Sequence, residues 1–385
     1  MRTFLFIIPS ITNYYTVLED IVFELVTRGE KVFIASSKKH ISKVDCYERK
    51  VLGEFIEIDF PRGFEWDKHV KAAKQLRKIV SDIKPDIINV HFSAAMFTTA
   101  IAKTENWPFT VAMLHGLAFP MIKGWRKMAI GPAEKWASKK MDQLILLNED
   151  DRFILEEFSD HENIHVLKSF GIGCDLEKYN LDNISQQTRL LYKRRLGLRK
   201  EDFVFIFVGR QVHFKGFDKL IRAYLKLYGE HKNIKLLLVG AKDNIHSTNL
   251  TSEEELKVRQ CPGIINVGWK ENVHEYLSVA DVNVFPSERE GMPVNLMESI
   301  AMGVPVITSD SRGCNEVVED QVNGILLKRN DIDEICKNML HLYENKLELE
   351  RLSDGALRTR IKFDRRIFLD ELLDFFESVP LKVSN

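Results

Sequence analysis

The stretch from Val282 to Leu327 reads VNVFPSEREGMPVNLMESIAMGVPVITSDSRGCNEVVEDQVNGILL, and its order of local signals decides the fold. Val282 to Phe285 is a short apolar run of strand type that Pro286 stops, and Ser287-Glu288-Arg289-Glu290-Gly291 is a polar turn. A helix is expected from near Pro293, whose missing N–H costs nothing in a first turn, with Leu296, Met297, Ile300 and Ala301 on one face. Gly303 and Pro305 end it, and Val306-Ile307-Thr308 is the next strand. Strand, loop, helix and strand in this order form a right-handed crossover in a parallel sheet. Glu290 therefore falls on a loop at the C-terminal edge, where open α/β sheets bind ligands.

Glu298 follows Glu290 about two helical turns on. Two carboxylates beside a helix N-terminus suit a ligand carrying both sugar hydroxyls and phosphate. The carboxylates accept hydrogen bonds from hydroxyls, and the segment Gly291, Met292, Pro293, Val294 and Asn295 offers N–H groups and the positive end of the helix dipole to the anion. An isolated pair of glutamates at this spacing is more often the solvated side of an amphipathic helix, so its surroundings decide the matter. Glu290…Glu298 is followed by Gly303-Val304-Pro305-Val306-Ile307 and by Glu316-Val317-Val318-Glu319-Asp320…Asn323-Gly324-Ile325-Leu326. The combination resembles the signature of the large family-4 (group 1) retaining nucleotide-sugar glycosyltransferases. The resemblance implies an α/β GT-B fold, two Rossmann-like doubly wound domains facing across a cleft. It further implies that Glu290 holds the transferred sugar, that Glu298 holds the ribose diol, and that attack on the front face retains the anomeric configuration with no enzymatic nucleophile.

The 385 residues exceed one ordinary core, which leads to an expectation of two domains. A composition of 45% hydrophobic and 29% charged residues is globular, and a net charge of −1 gives no global attraction to nucleic acid. Five scattered cysteines without a Cys-x-x-Cys argue against a disulfide framework or a zinc site and fit a reducing cytosol. The apolar part of Met1 to Ile11 is too short for a signal peptide, and no run approaches the roughly 20 apolar residues that span a bilayer. The expected location is cytoplasmic, peripheral on the inner face of the cytoplasmic membrane.

Alternating strand and helix patterns fill residues 1–180, the expected acceptor-binding domain. Strands are expected at Thr3 to Ile8, Lys31 to Ala35, Phe55 to Phe60, Pro85 to His91, Phe109 to Leu114 and Gln143 to Leu147. Helices are expected at Thr16 to Thr27, Trp66 to Ile83, Ala94 to Thr104 and through Trp125 to Lys140. The first strand runs into Pro9-Ser10-Ile11-Thr12-Asn13 with no G-x-G-x-x-G, which disfavours a nicotinamide cofactor. His115-Gly116 follows the fifth strand. A lone histidine is more often a structural hydrogen-bonder; in the resembled family a His-Gly at this point lies near the transferred sugar, which places His115 among the catalytic candidates. Residues 119–140 interleave Met121, Ile122, Trp125, Met128 and Trp136 with Lys123, Arg126, Lys127, Lys135, Lys139 and Lys140, Glu134 being the lone acid. That pattern suits a helix on an anionic membrane surface and equally a core helix with a solvated basic side. Glu134-Lys135-Trp136 is similar to exopolysaccharide and capsule members of the family, which favours the membrane.

Residues 181–362 restart the architecture as the expected nucleotide-sugar domain, with strands at Phe203 to Val208, Ile234 to Val239 and Ile264 to Val267. Gly209-Arg210 and Lys215-Gly216 follow the first of these, four residues separating Arg210 from Lys215. Cations on such a loop bind a diphosphate, Arg210 as a planar fork and Lys215 as a point charge, and the loop resembles the family's own. By resemblance only, Gly268, Trp269 and Lys270 contact the base. Asp331-Ile332-Asp333 mimics a metal-binding D-x-D but sits at a helix start, where acids cap. The helix expected at Arg365 to Glu377, within 363–385, crosses back to the first domain in GT-B enzymes.

The reading is a glycosyltransferase that needs no metal or other cofactor. It moves a sugar from a nucleotide diphosphate, UDP first, to a lipid-linked or saccharide acceptor in exopolysaccharide, capsule or O-antigen synthesis. Glu290, Lys215, Arg210 and His115 are its catalytic candidates. A nucleotide-sugar epimerase or a glycoside phosphorylase on the same fold, and a non-catalytic sugar-nucleotide-binding subunit, are the alternatives.

Overall fold

The computed structural model describes residues 1–38, 51–61, 65–117, 125–158, 163–243 and 246–380. The chain divides into two compact units, Met1–Gly171 with Phe368–Asn385, and Ile172–Ile367. The boundaries expected from the sequence are 180 and 362. Residues after 171 join the second unit through a parallel bridge between Cys174 and Asp364, with the Cys174 N–H donating to Phe363 C=O at 2.8 Å and the Arg365 N–H to Cys174 C=O at 3.0 Å.

Among the described residues the first unit holds seven parallel strands: β1 (Thr3–Ile8), β2 (Lys31–Ser36), β3 (Glu54–Glu57), β4 (Ile87–His91), β5 (Phe109–Leu114), β6 (Gln143–Leu146) and β7 (Ile164–Val166). Their order is β3-β2-β1-β4-β5-β6-β7, so the topology reverses between β1 and β4. Strands covered on both faces must be apolar throughout, and β1 (TFLFII) is buried from Phe4 to Ile8. Leu5, Ile7, Ile88, Val90, Ala112 and Leu114 form one core with Leu76, Val80, Met96 and Ala100 of the flanking helices Trp66–Ile83 and Ser93–Ala102.

The second unit repeats the plan with β8 (Phe203–Val208), β9 (Ile234–Val239), β10 (Ile264–Gly268), β11 (Val282–Phe285), β12 (Val306–Ser309) and β13 (Gly324–Leu327) in the order β10-β9-β8-β11-β12-β13. Its reversal lies between β8 and β11, which pair Val282 with Phe205 and Asn283 with Ile206. The helix Phe217–Glu230 covers this sheet with Phe217, Leu220, Ile221, Tyr224 and Leu227, a spacing that keeps one stripe inward. Asp331 caps the helix Ile332–Glu344, its carboxylate accepting the Glu334 N–H at 2.8 Å.

Some elements differ from the sequence reading. The first helix begins at Ile11 rather than Thr16 and passes through a π-helical turn, Tyr14–Leu18, before the α-helix Glu19–Thr27. Tyr14 is fully buried there, and its hydroxyl accepts the Leu52 N–H at 3.0 Å. The expected strand at Phe55 to Phe60 pairs only over Glu54–Glu57. The helix after Glu290 spans Val294–Ala301, with Pro293 just outside it as the cap in extended conformation instead of inside the first turn. Helices Glu149–Phe158, Ser252–Gln260, Cys314–Val317 and Lys346–Thr359, and strand β7, had no sequence counterpart.

Candidate functional site

The loops after β8 and β11 meet at the sheet's reversal, where neighbouring strands send their helices to opposite faces and leave a crevice. Contact between them is close enough to demand glycine. Gly216 has φ +70°, and a Cβ there would lie 2.1 Å from the Pro286 carbonyl oxygen. The Glu288 N–H donates to Phe214 C=O at 2.8 Å, and Ser287 Oγ lies 3.2 Å from the same carbonyl oxygen. A third loop, after β12, closes on the second: the Glu290 N–H donates to Arg312 C=O at 3.0 Å. Gly313, with φ +78°, leaves no room for a Cβ, which would stand 2.6 Å from Gly291 C=O.

This packing brings Lys215 and Glu290 together across 75 residues of sequence, Nζ donating to Oε1 at 2.8 Å, each side chain about 15% exposed. Ser287 Oγ–H donates to the same Oε1 at 2.8 Å, and the ammonium stands 5.0 Å from the centre of the Phe285 ring. The ammonium has three N–H donors, so one committed to Glu290 leaves two for a ligand oxygen. Arg210 is not part of that pair. Its guanidinium donates to Asp243 Oδ2 at 2.5 Å and is half exposed, while His246 Nδ1 lies 2.9 Å from the same oxygen. Phe214 links the cations: Arg210 and Arg289 lie 5.6 and 5.1 Å from its ring centre. Arg289 went unremarked in the sequence as a binding group. Burial lowers its pKa, and Arg312 adds to that. Its position between the two glutamates of Glu288-Arg289-Glu290 was the available signal.

Other expected contacts are spread over the same unit. Met292 and Pro293 are buried, so they can offer a ligand little beyond backbone, and Asn295 spends its side chain on Val208 C=O at 2.9 Å, tying the helix to the end of β8. Gly209 packs against the Phe285 and Phe207 rings and the lysine: a Cβ would stand 3.2 Å from Phe285, 3.7 Å from Phe207 and 3.6 Å from the Lys215 stem. Val294 opens the helix, so its N–H and that of Asn295 are first-turn groups with no partner one turn earlier. Glu298 lies one turn in, half-buried, where burial pushes its carboxyl up to about 7 against a hydrogen bond from Tyr179 and the charges of Arg365 and Lys178. At the end of the edge strand β10, Gly268 has φ +68° and its N–H donates to Asn266 Oδ1 at 3.1 Å. Trp269 beside it is exposed, and Lys270 follows.

His115 belongs to the first unit. It stands just past β5, half-buried, with Nε2 at 2.9 Å from Nδ1 of His91 and the Phe92 ring stacked at 4.5 Å between centres. Burial pushes its pKa down to about 4, and burial together with the neighbouring His115 holds that of His91 well below the usual imidazole value, so both rings are neutral near pH 7. Among the described residues no group of three or more His, Cys, Asp or Glu is placed to hold a metal ion. Of the expected membrane segment, 119–124 lies outside the described residues, and the side chains of Trp125, Arg126, Lys127 and Met128 are likewise outside them. The rest of it forms the end of the helix Trp125–Lys139, in which Glu134 is buried while Trp136 is exposed. No helix among the described residues is long and apolar enough to cross a membrane.

Known proteins match both units. The family model described as glycosyl transferases group 1 matches residues 189–359, and the one described as glycosyl transferase 4-like matches residues 7–148. The chain is 28% identical to the UDP-Gal:alpha-D-GlcNAc-diphosphoundecaprenol alpha-1,3-galactosyltransferase of Escherichia coli, over 74% of this chain and 73% of that one. It is 25% identical to the capsular polysaccharide biosynthesis glycosyltransferase CapM of Staphylococcus aureus, over 93% of this chain and 97% of that one. Among solved structures, HepE of Anabaena in complex with UDP and glucose superposes with a TM-score of 0.82 at 16% identity, covering 98% of this chain and 100% of that one. Two parallel doubly wound units, the loop pair at the second unit's reversal and these matches together place the chain in the glycosyl transferase group 1 family, as a glycosyltransferase of the GT-B fold.

Proposed function

We propose that the chain transfers a sugar from a UDP-sugar to a lipid-diphosphate-linked saccharide in the synthesis of a cell-surface polysaccharide, with no metal and with retention of anomeric configuration. The observation that carries the site reading is the Lys215–Glu290 pair at the reversal of the second sheet. Lys215 has N–H groups left for the diphosphate, Arg289 adds charge at the rim, and Arg210 joins them by exchanging Asp243 for phosphate. Cations fixed before the reaction stabilise the charge that builds on the leaving β-phosphate, which is where such a transfer needs help. Glu290 accepts from hydroxyls of the sugar and Glu298 from the ribose diol, and the exposed Trp269 takes the base. The sugar C1–O bond to phosphate breaks as the acceptor oxygen bonds to C1 on the same face, and the acceptor proton leaves with the phosphate oxygen.

The acceptor class is supported by the Escherichia coli relative, whose name specifies a diphosphoundecaprenol-linked sugar, and by the capsular role in the name of CapM. Peripheral attachment to the membrane suits such an acceptor. Trp136 on the helix Trp125–Lys139 and Trp66 on the helix Trp66–Ile83 are both exposed and both pack edge-on against Phe97, with the exposed Lys139 and Lys140 close by in sequence.

The test is incubation with UDP-hexoses and a membrane lipid extract in the presence of chelator. A lipid-linked product longer by one sugar, with the donor's anomeric configuration, is expected. An epimerised donor without lipid product would favour the epimerase instead.

A further inference from the structure

Asn89, His91 and His115 form a hydrogen-bonded chain whose direction can be read from one end. Asn89 Nδ2 donates to Val111 C=O at 3.4 Å, which turns Oδ1 of the same amide toward His91 Nε2 at 2.7 Å. An amide oxygen only accepts, so His91 carries its proton on Nε2 and its Nδ1 is a lone pair. His115 Nε2, 2.9 Å from that lone pair, then has to donate. A neutral imidazole has one N–H, which leaves Nδ1 of His115 as an acceptor. Nothing among the described residues donates to it.

The ring is also fixed in orientation. Phe92 has φ +70° and ψ 148°, a region that residues with a side chain almost never occupy. That conformation accompanies a stack on His115 at 4.5 Å and 29°. His91 lies at 5.2 Å and 23° from the same imidazole. Burial keeps both histidines neutral, as the tautomer argument requires. The chain lies at the C-terminal ends of β4 and β5, beside the β1/β4 reversal of the first sheet, the edge at which such sheets take ligands.

We propose that Asn89 and His91 are positioning residues that hold His115 as the Nε2–H tautomer, so that its Nδ1 accepts a hydrogen bond from one hydroxyl of the saccharide substrate. The proposal rests on the transferase reading. It makes His115 a specificity group: a lone pair of this kind takes a hydroxyl and refuses an ether or carbonyl oxygen, and a substrate lacking that hydroxyl leaves a half-buried acceptor unpaired.

Two-bond proton–nitrogen correlation spectra of the full chain labelled with ¹⁵N-histidine, near neutral pH, read the tautomer directly. The His115 signal is identified by its loss in His115→Gln. Nε2–H is expected for both His91 and His115. In His91→Phe, which keeps a ring but removes the acceptor, His115 should show mixed tautomers, and kcat/KM should fall about tenfold or more, the order expected for losing an orienting partner. Wild-type His115 protonated at Nδ1 would overturn the proposal without need of any variant. So would a folded His91→Phe with unchanged kcat/KM. A wild-type chain that releases no nucleoside diphosphate would instead defeat the transferase reading, and the spectrum would still decide the tautomer.

Discussion

Lys215 and Glu290 hold each other at 2.8 Å while each keeps about 15% of its side chain open to solvent, so the pair is both organised and reachable. Removing either partner strands the other's charge and deletes a group aimed at the donor. Glu290→Ala and Lys215→Ala are each expected to cut nucleoside diphosphate release by at least about a hundredfold, the order for losing a preorganised electrostatic group. Stranding a mostly buried charge also lowers the melting temperature, so release is compared below the unfolding transition of each variant, and near-normal release from either would misplace the site. The histidines give a second expectation. His115 refuses a proton until about pH 4, whereas the unfolded chain accepts one near 6.5. Stability is thus unaffected above pH 6.5 and falls as pH drops from there toward 4, by up to about 1.4 kcal/mol per pH unit for each such histidine. Urea unfolding at pH 7.5 and 5 should show a smaller drop for His115→Gln than for the wild type. Lys215 and Glu290 were legible in the sequence because each stands at a fixed offset from a strand end inside a motif. The Asn89–His91–His115 chain was not, since only the pairing of β4 with β5, His91 opposite Met113, brings the two histidines together.

At the scale of elements, the loops are held by close backbone approach. Gly216→Ala would set a Cβ 2.1 Å from Pro286 C=O at a φ of +70°, so a loss of about 2 kcal/mol or more in urea unfolding is expected, together with reduced turnover as the loops part. Gly229, in the helix Phe217–Glu230 with nothing within 4 Å of its Cβ position, is the control: Gly229→Ala should stabilise by up to about 1 kcal/mol. If both substitutions behaved alike, the loop packing would not be what positions the site. Continuous apolar runs such as TFLFII and FVFIFV announce buried parallel strands, which is why β1 and β8 agree with the sequence to the residue. Strand β7 has three half-buried residues and owes its place to neighbours, the Leu144 N–H donating to Asn163 C=O at 2.9 Å and the Leu167 N–H to Leu146 C=O at 3.0 Å. No pattern of its own could reveal it. The π-helical turn at Tyr14–Leu18 belongs with the burial of Tyr14, a tertiary fact that helical periodicity does not encode.

For the whole molecule, a net charge of −1 means that any attraction to an anionic membrane has to be local. Sedimentation with vesicles containing anionic lipid should retain the protein at low salt and release it as salt rises, and replacing Trp136, Lys139 and Lys140 together by alanine should weaken retention severalfold. Retention indifferent to salt and to those substitutions would remove the membrane from the account. The central claim is sugar transfer from a nucleotide donor through Lys215 and Glu290. Its most direct test is nucleoside diphosphate release from a panel of UDP- and GDP-sugars, with chelator present, with and without an extract of lipid-linked saccharides. Release from a UDP-sugar, increased by the extract and lost in Glu290→Ala, is the predicted result. Donor binding without release, whatever acceptor is supplied, would contradict it and leave a sugar-nucleotide-binding subunit in its place.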